Sequence, residues 1–446
     1  MQTNVKDAYG VDFVLTKEDF TFVQQDKKIH DTKFETKATT FAKDAFKRFC
    51  KNKSSVVAAV IIGLIILLAI FVPFFVDYDI NNAHPYETFL PSKLFDTGTG
   101  FWDGTKKYTH LIYDAETGAP VGYEKRAIVS ITTYEEDGLT YADFVYDKYE
   151  EVYGVKSTRI AKVDLNRYIS NGWCTFDESV GISSFEILDD RCPIREMTSI
   201  DEKGNITGNV SMYRYYGYDS MPRYLFGTDN LGRDLVKRCF VGLRASLLFA
   251  VLIAAICFIF GLVWGAISGY FGGNVDLFME RIMDILGGVP LIIVVTLFRL
   301  HLGDSLFIFG LALCITGWMS TASRTRTQFY RFKGREYVLA SRTLGASDRR
   351  LIFRHILPNA LGTIVTSSVL MIPSLIFTEA SLSYLGLGIM GTGSFGNILA
   401  DNQAYLQRYP ALIIFPAVII SLLMISFNLF GNGLRDALNP SLKGSE

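Results

Sequence analysis

Three groups of residues in this chain have types and spacings that suggest chemistry. The first is a run of bases between Ser320 and Asn359: Arg324, Arg326, Arg331, Lys333, Arg335, Arg342, Arg349, Arg350 and Arg354, opposed only by Glu336 and Asp348. The second is a set of hydroxyls, Thr366, Ser367, Ser368 and Thr378, followed by Glu379, in otherwise apolar sequence. The third is the pair Cys174 and Cys192, the only cysteines between Asp77 and Asp219. An acid inside an apolar segment is a functional candidate, such as part of a solute path, whereas hydroxyls there also bond back to their own helix. The two cysteines form a disulfide if their domain faces an oxidising compartment, or else are two buried thiols. None of this is bond-making machinery. The chain lacks a G-x-x-x-x-G-K-[ST] phosphate loop, an H-E-x-x-H pair, a Cys-x-x-Cys and a G-x-S-x-G elbow. The chain itself is not expected to catalyse a reaction, and no metal or cofactor of its own is expected.

The elements that position these groups follow from segregated hydropathy. Of the 446 residues 49% are hydrophobic, and a net charge of −1 gives no reason to expect nucleic acid as a partner. A helix needs about 20 apolar residues to cross the hydrocarbon core. Val56–Val76 meets this without a charge, and it starts too deep in the chain for a cleaved leader. Ser246–Tyr270, Met283–Phe298, Leu306–Trp318, Leu361–Phe377 and Ala411–Phe430 complete six expected spans. Bases concentrate before the first span (Lys43, Lys47, Arg48, Lys51, Lys53) and in the Ser320–Asn359 segment, which places both segments and both termini in the cytoplasm. Phe41, Ala45 and Phe49 recur on one side of a helix opposite Lys43, Lys47 and Lys51, as in a helix lying in the inner interface; the alternative is a solvated basic segment.

The expected organisation is therefore a cytoplasmic segment 1–54, a first span 55–76, an extracellular insert 77–222 and a helical core 223–446 carrying a cytoplasmic loop 321–359. The insert reads as β-rich, because RAIVSITTYEEDGLTYADFVYDKY alternates around an EEDG turn. Its tyrosines suit a docking or gating surface, or else fill a small β core. In the basic loop, Glu336–Leu344 forms a helix closed by Gly345 in the left-handed region. Ser347 then caps a second helix, Pro358 ends it, and Val338, Leu339, Leu344, Leu351 and Ile352 supply an apolar ridge.

The spacing of Leu339, Ala340, Ser341, Gly345, His355, Leu357 and Pro358 resembles the cytoplasmic signature loop of ABC importer permeases, with Leu339, Ser341 and His355 standing where that family usually has glutamate, alanine and isoleucine. FGTDNLGRDLVKRCFVGLRASL, GYFGGNVDLFMERIMDILGGVP, EASLSYLGLG and FNLFGNGLRDALNP are similar to dipeptide, oligopeptide and nickel permeases. The resemblance implies an all-α type I importer permease fold in the plasma membrane, with the β-rich insert added. It also implies a second homologous permease, a solute-binding protein, a peptide substrate, and two ATPases that bind ATP and magnesium and grip a coupling loop of Glu336, Leu339, Ala340, Ser341, Gly345, Arg354, His355, Leu357 and Pro358. Other readings are a nickel or small-solute permease, a secondary transporter, and a receptor or assembly protein anchored in the bilayer and acting through its ectodomain.

Overall fold

A computed structural model describes residues 3–6, 12–15, 41–201, 205–388 and 393–438. Near the start, Thr3–Lys6 and Asp12–Leu15 pair antiparallel. The helix Phe41–Lys51 leaves Lys43 and Lys47 exposed; the side chains of Phe41 and Ala42 lie outside the described residues.

Among the described residues, five helices are long and apolar enough to cross a membrane: Lys53–Phe75, Leu235–Phe271, Leu306–Lys333, Asp348–Tyr384 and Ala411–Leu438. The pair Gly273–Gly287 and Leu291–Leu302, bent by 76°, makes a sixth when counted as one span. The expected straight span Met283–Phe298 is thus a bent one. The break falls at Gly288–Pro290, where Pro290 is extended (φ −58°, ψ 131°) and so cannot continue the first helix. The second long helix also begins earlier than hydropathy suggested, at Leu235. Its charged first turns are satisfied by folded partners: the Asp234 carboxylate caps it, and Lys237 donates to Tyr78 O at 2.7 Å.

Between the first two long helices the chain builds a β-rich insert. Its four-stranded antiparallel sheet runs Ala119–Pro120, Thr105–Asp114, Leu139–Asp147, Ile128–Glu136. The expected hairpin is there: Glu136 faces Leu139 across Asp137 (φ 50°) and Gly138 (φ 78°), the two left-handed residues of a tight hairpin turn. A second sheet orders Ile194–Ile200, Ile206–Ser211 and Val155–Ile160. Tyrosine fills much of the interior. Tyr146, Tyr149, Tyr153, Tyr168 and Tyr224 are among the largest fully buried side chains, which favours the core-filling reading of these residues over the docking one. Cys174 and Cys192 lie together in one apolar cluster as free thiols, so the possible bridge is not formed here; burial pushes the Cys174 thiol up to about 12.

Candidate functional site

The basic loop folds into a compact element at one end of the helical bundle, and the insert occupies the opposite end of the Leu235–Phe271 helix. Glu336–Thr343 is helical, Leu344 ends it, and Gly345 sits at φ +84°. A Cβ at Gly345 would meet nothing within 4 Å. The glycine is therefore required by backbone conformation, which an L side chain adopts only at a cost, and not by space.

Two local expectations need correction. Ser347 makes no side-chain cap; its neighbour Asp348 is used instead, as acceptor from the Tyr270 hydroxyl. Nor does Pro358 end the second helix. Helical turns run on from Asp348 to Tyr384 because Leu351–Ile356 is a π-helical stretch, with Leu357 N–H reaching back five residues to Ile352 O. A proline ring normally collides with the carbonyl four residues before it. The wider turn moves that carbonyl away, so the chain passes Pro358 without breaking.

Packing divides the element into an inner and an outer face. Val338, Leu351 and Ile356 are fully buried, in one cluster with Ala266, Tyr270, Phe329 and Ala360. Tyr270, at the end of the Leu235–Phe271 helix, also accepts from Arg342 at 3.2 Å, and Asn359 Nδ2 donates to Tyr337 OH at 3.3 Å, tying the Glu336–Thr343 helix to the one that follows it. Of the residues assigned to the ridge, Leu339 and Leu344 are exposed, Leu344 at 88%, whereas Val338 and Leu351 turn inward. Phe353 is exposed as well, in a segment that also exposes Arg335, Arg342, Arg349, Arg350 and Arg354. Glu336 and Ala340 are exposed, Ser341 Oγ returns to Tyr337 O at 2.8 Å, and His355 is half-buried.

Beneath the element lies a network that sequence reasoning missed. Asp276 accepts both Nε and Nη2 of Arg326 at 2.6 Å, Tyr330 OH at 2.7 Å, and the Ser268 hydroxyl. This bidentate geometry is the strong form of a carboxylate–guanidinium pair, and it fastens the bent helix to the one bearing Arg326. The helix bearing Arg326 also nearly touches the Leu235–Phe271 helix along Gly261, Gly265 and Gly269; a Cβ at Gly265 would stand 2.2 Å from Ala322 O. That spacing of glycines at every fourth residue was visible in GLVWGAISG and signals close helix approach in a membrane.

The hydroxyl series is used locally. Thr366 bonds to Thr363 O at 3.0 Å, Ser367 and Ser368 to Ile364 O at 2.8 and 2.9 Å, and Thr378 to Ser374 O at 2.8 Å. Glu379 differs. It is 5% exposed and accepts Ser246 Oγ at 3.0 Å, Ser383 Oγ at 3.0 Å and Ser394 Oγ at 2.7 Å. Ser246 and Ser394 each receive a backbone N–H, from Phe395 and Asn397, which leaves their protons free for the carboxylate. Glu379 thus holds the start of the short helix Phe395–Asn402, while Arg238 holds its other end by bridging Asp229 and Asp401. Among the described residues no group of three or more His, Cys, Asp or Glu could hold a metal ion.

Residues 261–444, which contain the whole basic element, match the family described as binding-protein-dependent transport system inner membrane component. Residues 40–91 match the N-terminal TM domain of oligopeptide transport permease C. The oligopeptide transport system permease protein OppC of Bacillus subtilis is 47% identical over 219 residues, covering 49% of this chain and 72% of that protein. The dipeptide transport system permease protein DppC of Lactococcus lactis is 42% identical over 232 residues, covering 52% and 68%. A solved structure of the MetNI methionine ABC transporter is 18% identical with a TM-score of 0.36, covering 44% of this chain and 94% of that one. The chain belongs to the family of binding-protein-dependent transport permeases. It is a multi-pass inner-membrane transport component rather than an enzyme.

Proposed function

We propose that this chain is the peptide-translocating permease subunit of an ATP-driven importer. It pairs with a second homologous permease across the bilayer. Two cytoplasmic ATPases, which bind the ATP and magnesium, grip the element from Glu336 to Pro358, and an extracellular binding protein delivers the peptide. The termini and the basic element face the cytoplasm, and the insert faces outward, as the distribution of lysine and arginine requires. The observation that carries this reading is that Leu339, Leu344 and Phe353 are exposed in an arginine-rich segment inside the stretch that matches the family. An apolar ridge with a charged rim suits a groove on a soluble partner. Its inner face packs on two other long helices through Tyr270 and Phe329, and it continues past Ala360 into a span of its own, so force on the element reaches the spans.

Reconstituted with its partners, the chain should import a labelled oligopeptide in an ATP-dependent way, and Leu344→Asp should abolish co-purification of the ATPases. Import of nickel but not of peptides, or a Leu344→Asp variant that keeps its ATPases, would overturn the reading. A cysteine placed at Thr117 should be labelled from outside intact cells and one at Lys333 should not; labelling of both would contradict the assigned sides.

A further inference from the structure

Where the insert meets the head of the last long helix, a cavity of about 340 Å³ opens between Phe89, Trp102, Lys106, Phe226, Arg408 and Phe415, among others. Its walls are aromatic and come from both regions. Phe89 stacks on Tyr409 with centroids 4.3 Å apart, Phe226 stacks on Phe415 at 4.3 Å, and Trp102 meets Phe415 edge-on at 6.1 Å. Its charge is one-sided. Lys106, Lys148 and Arg408 converge on it. Lys148 is paired with Glu151 at 2.7 Å, but among the described residues neither Lys106 nor Arg408 has a carboxylate partner. The one acid in the lining, Asp103, is already spent on the N–H groups of Gly98, Gly100 and Thr105 and on the Thr105 hydroxyl. Lys106 Nζ lies 4.4 Å from the Tyr409 ring centroid, and burial, then Arg408 and Lys148, lowers its hold on its proton. Cations kept this close without a counter-charge repel one another unless an anion joins them.

The location selects the anion. Ala411, Leu412 and Phe415 belong to the first turns of a membrane-spanning helix, so the cavity lies at the boundary between hydrocarbon and water. Aromatic rings sit at headgroup level on both faces of a bilayer, and a pair of cations without a counter-charge at that depth offers a lipid phosphate the charge it needs. We propose that this cavity binds the headgroup of an anionic phospholipid, its phosphate between Lys106 and Arg408 and its upper acyl chain against Phe415 and Trp102. The lipid would wedge the insert against the last span. The proposal does not depend on which solute the permease carries.

The assembled transporter, purified in a neutral detergent and stripped of lipid, is titrated with phosphatidylglycerol and with phosphatidylethanolamine and observed by native mass spectrometry. Phosphatidylglycerol should be retained preferentially. Lys106→Gln with Arg408→Gln should weaken its retention roughly 10- to 30-fold. The charge-preserving pair Lys106→Arg with Arg408→Lys should keep it. So should Lys107→Gln with Lys162→Gln, which removes the same charge from elsewhere on the insert. Equal retention of both lipids, or no loss in the neutralised variant, overturns the proposal. So does displacement by inorganic phosphate, which would indicate a free-anion site, or by a short peptide, which would indicate a substrate site.

Discussion

The two ends of the Leu235–Phe271 helix mix the same kinds of contact in different proportions. At the end bearing the basic element, a small apolar cluster around Val338, Leu351 and Ile356 is crossed by directional bonds, Tyr270 to Asp348 and Arg342, and Asp276 to Arg326, Tyr330 and Ser268. At the other end, the insert is held by interlocking rings, with Tyr149, Tyr153 and Tyr224 buried against Leu90 and with the Glu87 carboxylate accepting from Tyr218 at 2.9 Å and Tyr224 at 3.1 Å. The family models match residues 40–91 and 261–444 and leave most of the insert unmatched. A surface that fits the proposed ATPases needs its backbone placed to a fraction of an ångström, and directional bonds to fixed helices help to do that. A domain that needs only to stay folded can rely on bulk aromatic burial.

The contrast can be broken most severely beneath the basic element. Gly265→Leu drives a side chain into the Ala322 carbonyl 2.2 Å away. It should cost more than about 3 kcal/mol and prevent accumulation of intact protein, as measured by detergent thermal unfolding. Normal yield and melting would mean that the two helices are not packed as described.

Next in size is Tyr149→Ala, which empties a fully buried site in the insert. A loss of roughly 3–5 kcal/mol should appear as rapid proteolysis within the insert while the ATPases still co-purify. Release of the ATPases by this variant would show that the two ends are not independent. Gly345→Val should do the reverse. Forcing a β-branched residue to φ +84° costs about 1–3 kcal/mol locally. Peptide import should fall about tenfold with the insert as protease-resistant as before, and unchanged import would remove the glycine from the coupling element.

The smallest effect expected is that of Asp103→Asn. Burial would raise the Asp103 carboxyl, but hydrogen bonds from the Thr105 hydroxyl and the N–H groups of Gly100, Thr105 and Gly98 outweigh it and hold it below the ordinary carboxylate value. A lowered folded value means stability that is complete above the unfolded value of about 3.9 and fades as pH falls through the folded one. The variant should lose about 1–3 kcal/mol at neutral pH and show less dependence on acid than the parent below about pH 4. An equal acid response in both would assign that dependence to other groups.

Much of this was legible because it rests on local pattern. The apolar segments, the Asp137–Gly138 turn and the left-handed Gly345 depend on neighbours in sequence; the structure has the turn and the glycine in place, with five spanning helices and a bent pair where the sixth was expected. The orientation of Leu344 was not legible, because helical spacing gives an apolar face without saying which positions an absent partner would cover. The pairing of Asp276 with Arg326 spans 50 residues and depends on a helix bend that hydropathy does not record. The continuation past Pro358 failed for a related reason: the rule for proline assumes an α-helical turn, and a π turn changes the geometry the rule depends on.

One further consequence follows from the unbroken length of the Leu235–Phe271 helix. At 37 residues it is about 55 Å long, well beyond the roughly 30 Å of hydrocarbon it crosses. Arg238 near its start is bonded to Asp229 and Asp401, and Tyr270 at its end to Asp348 and Arg342. It is a beam clamped at both ends, with no kink to absorb displacement. A tilt of about 10° imposed at Tyr270 would carry Arg238 sideways by about 8 Å, so the clamp at Asp401 must release or the short helix Phe395–Asn402 must travel with it.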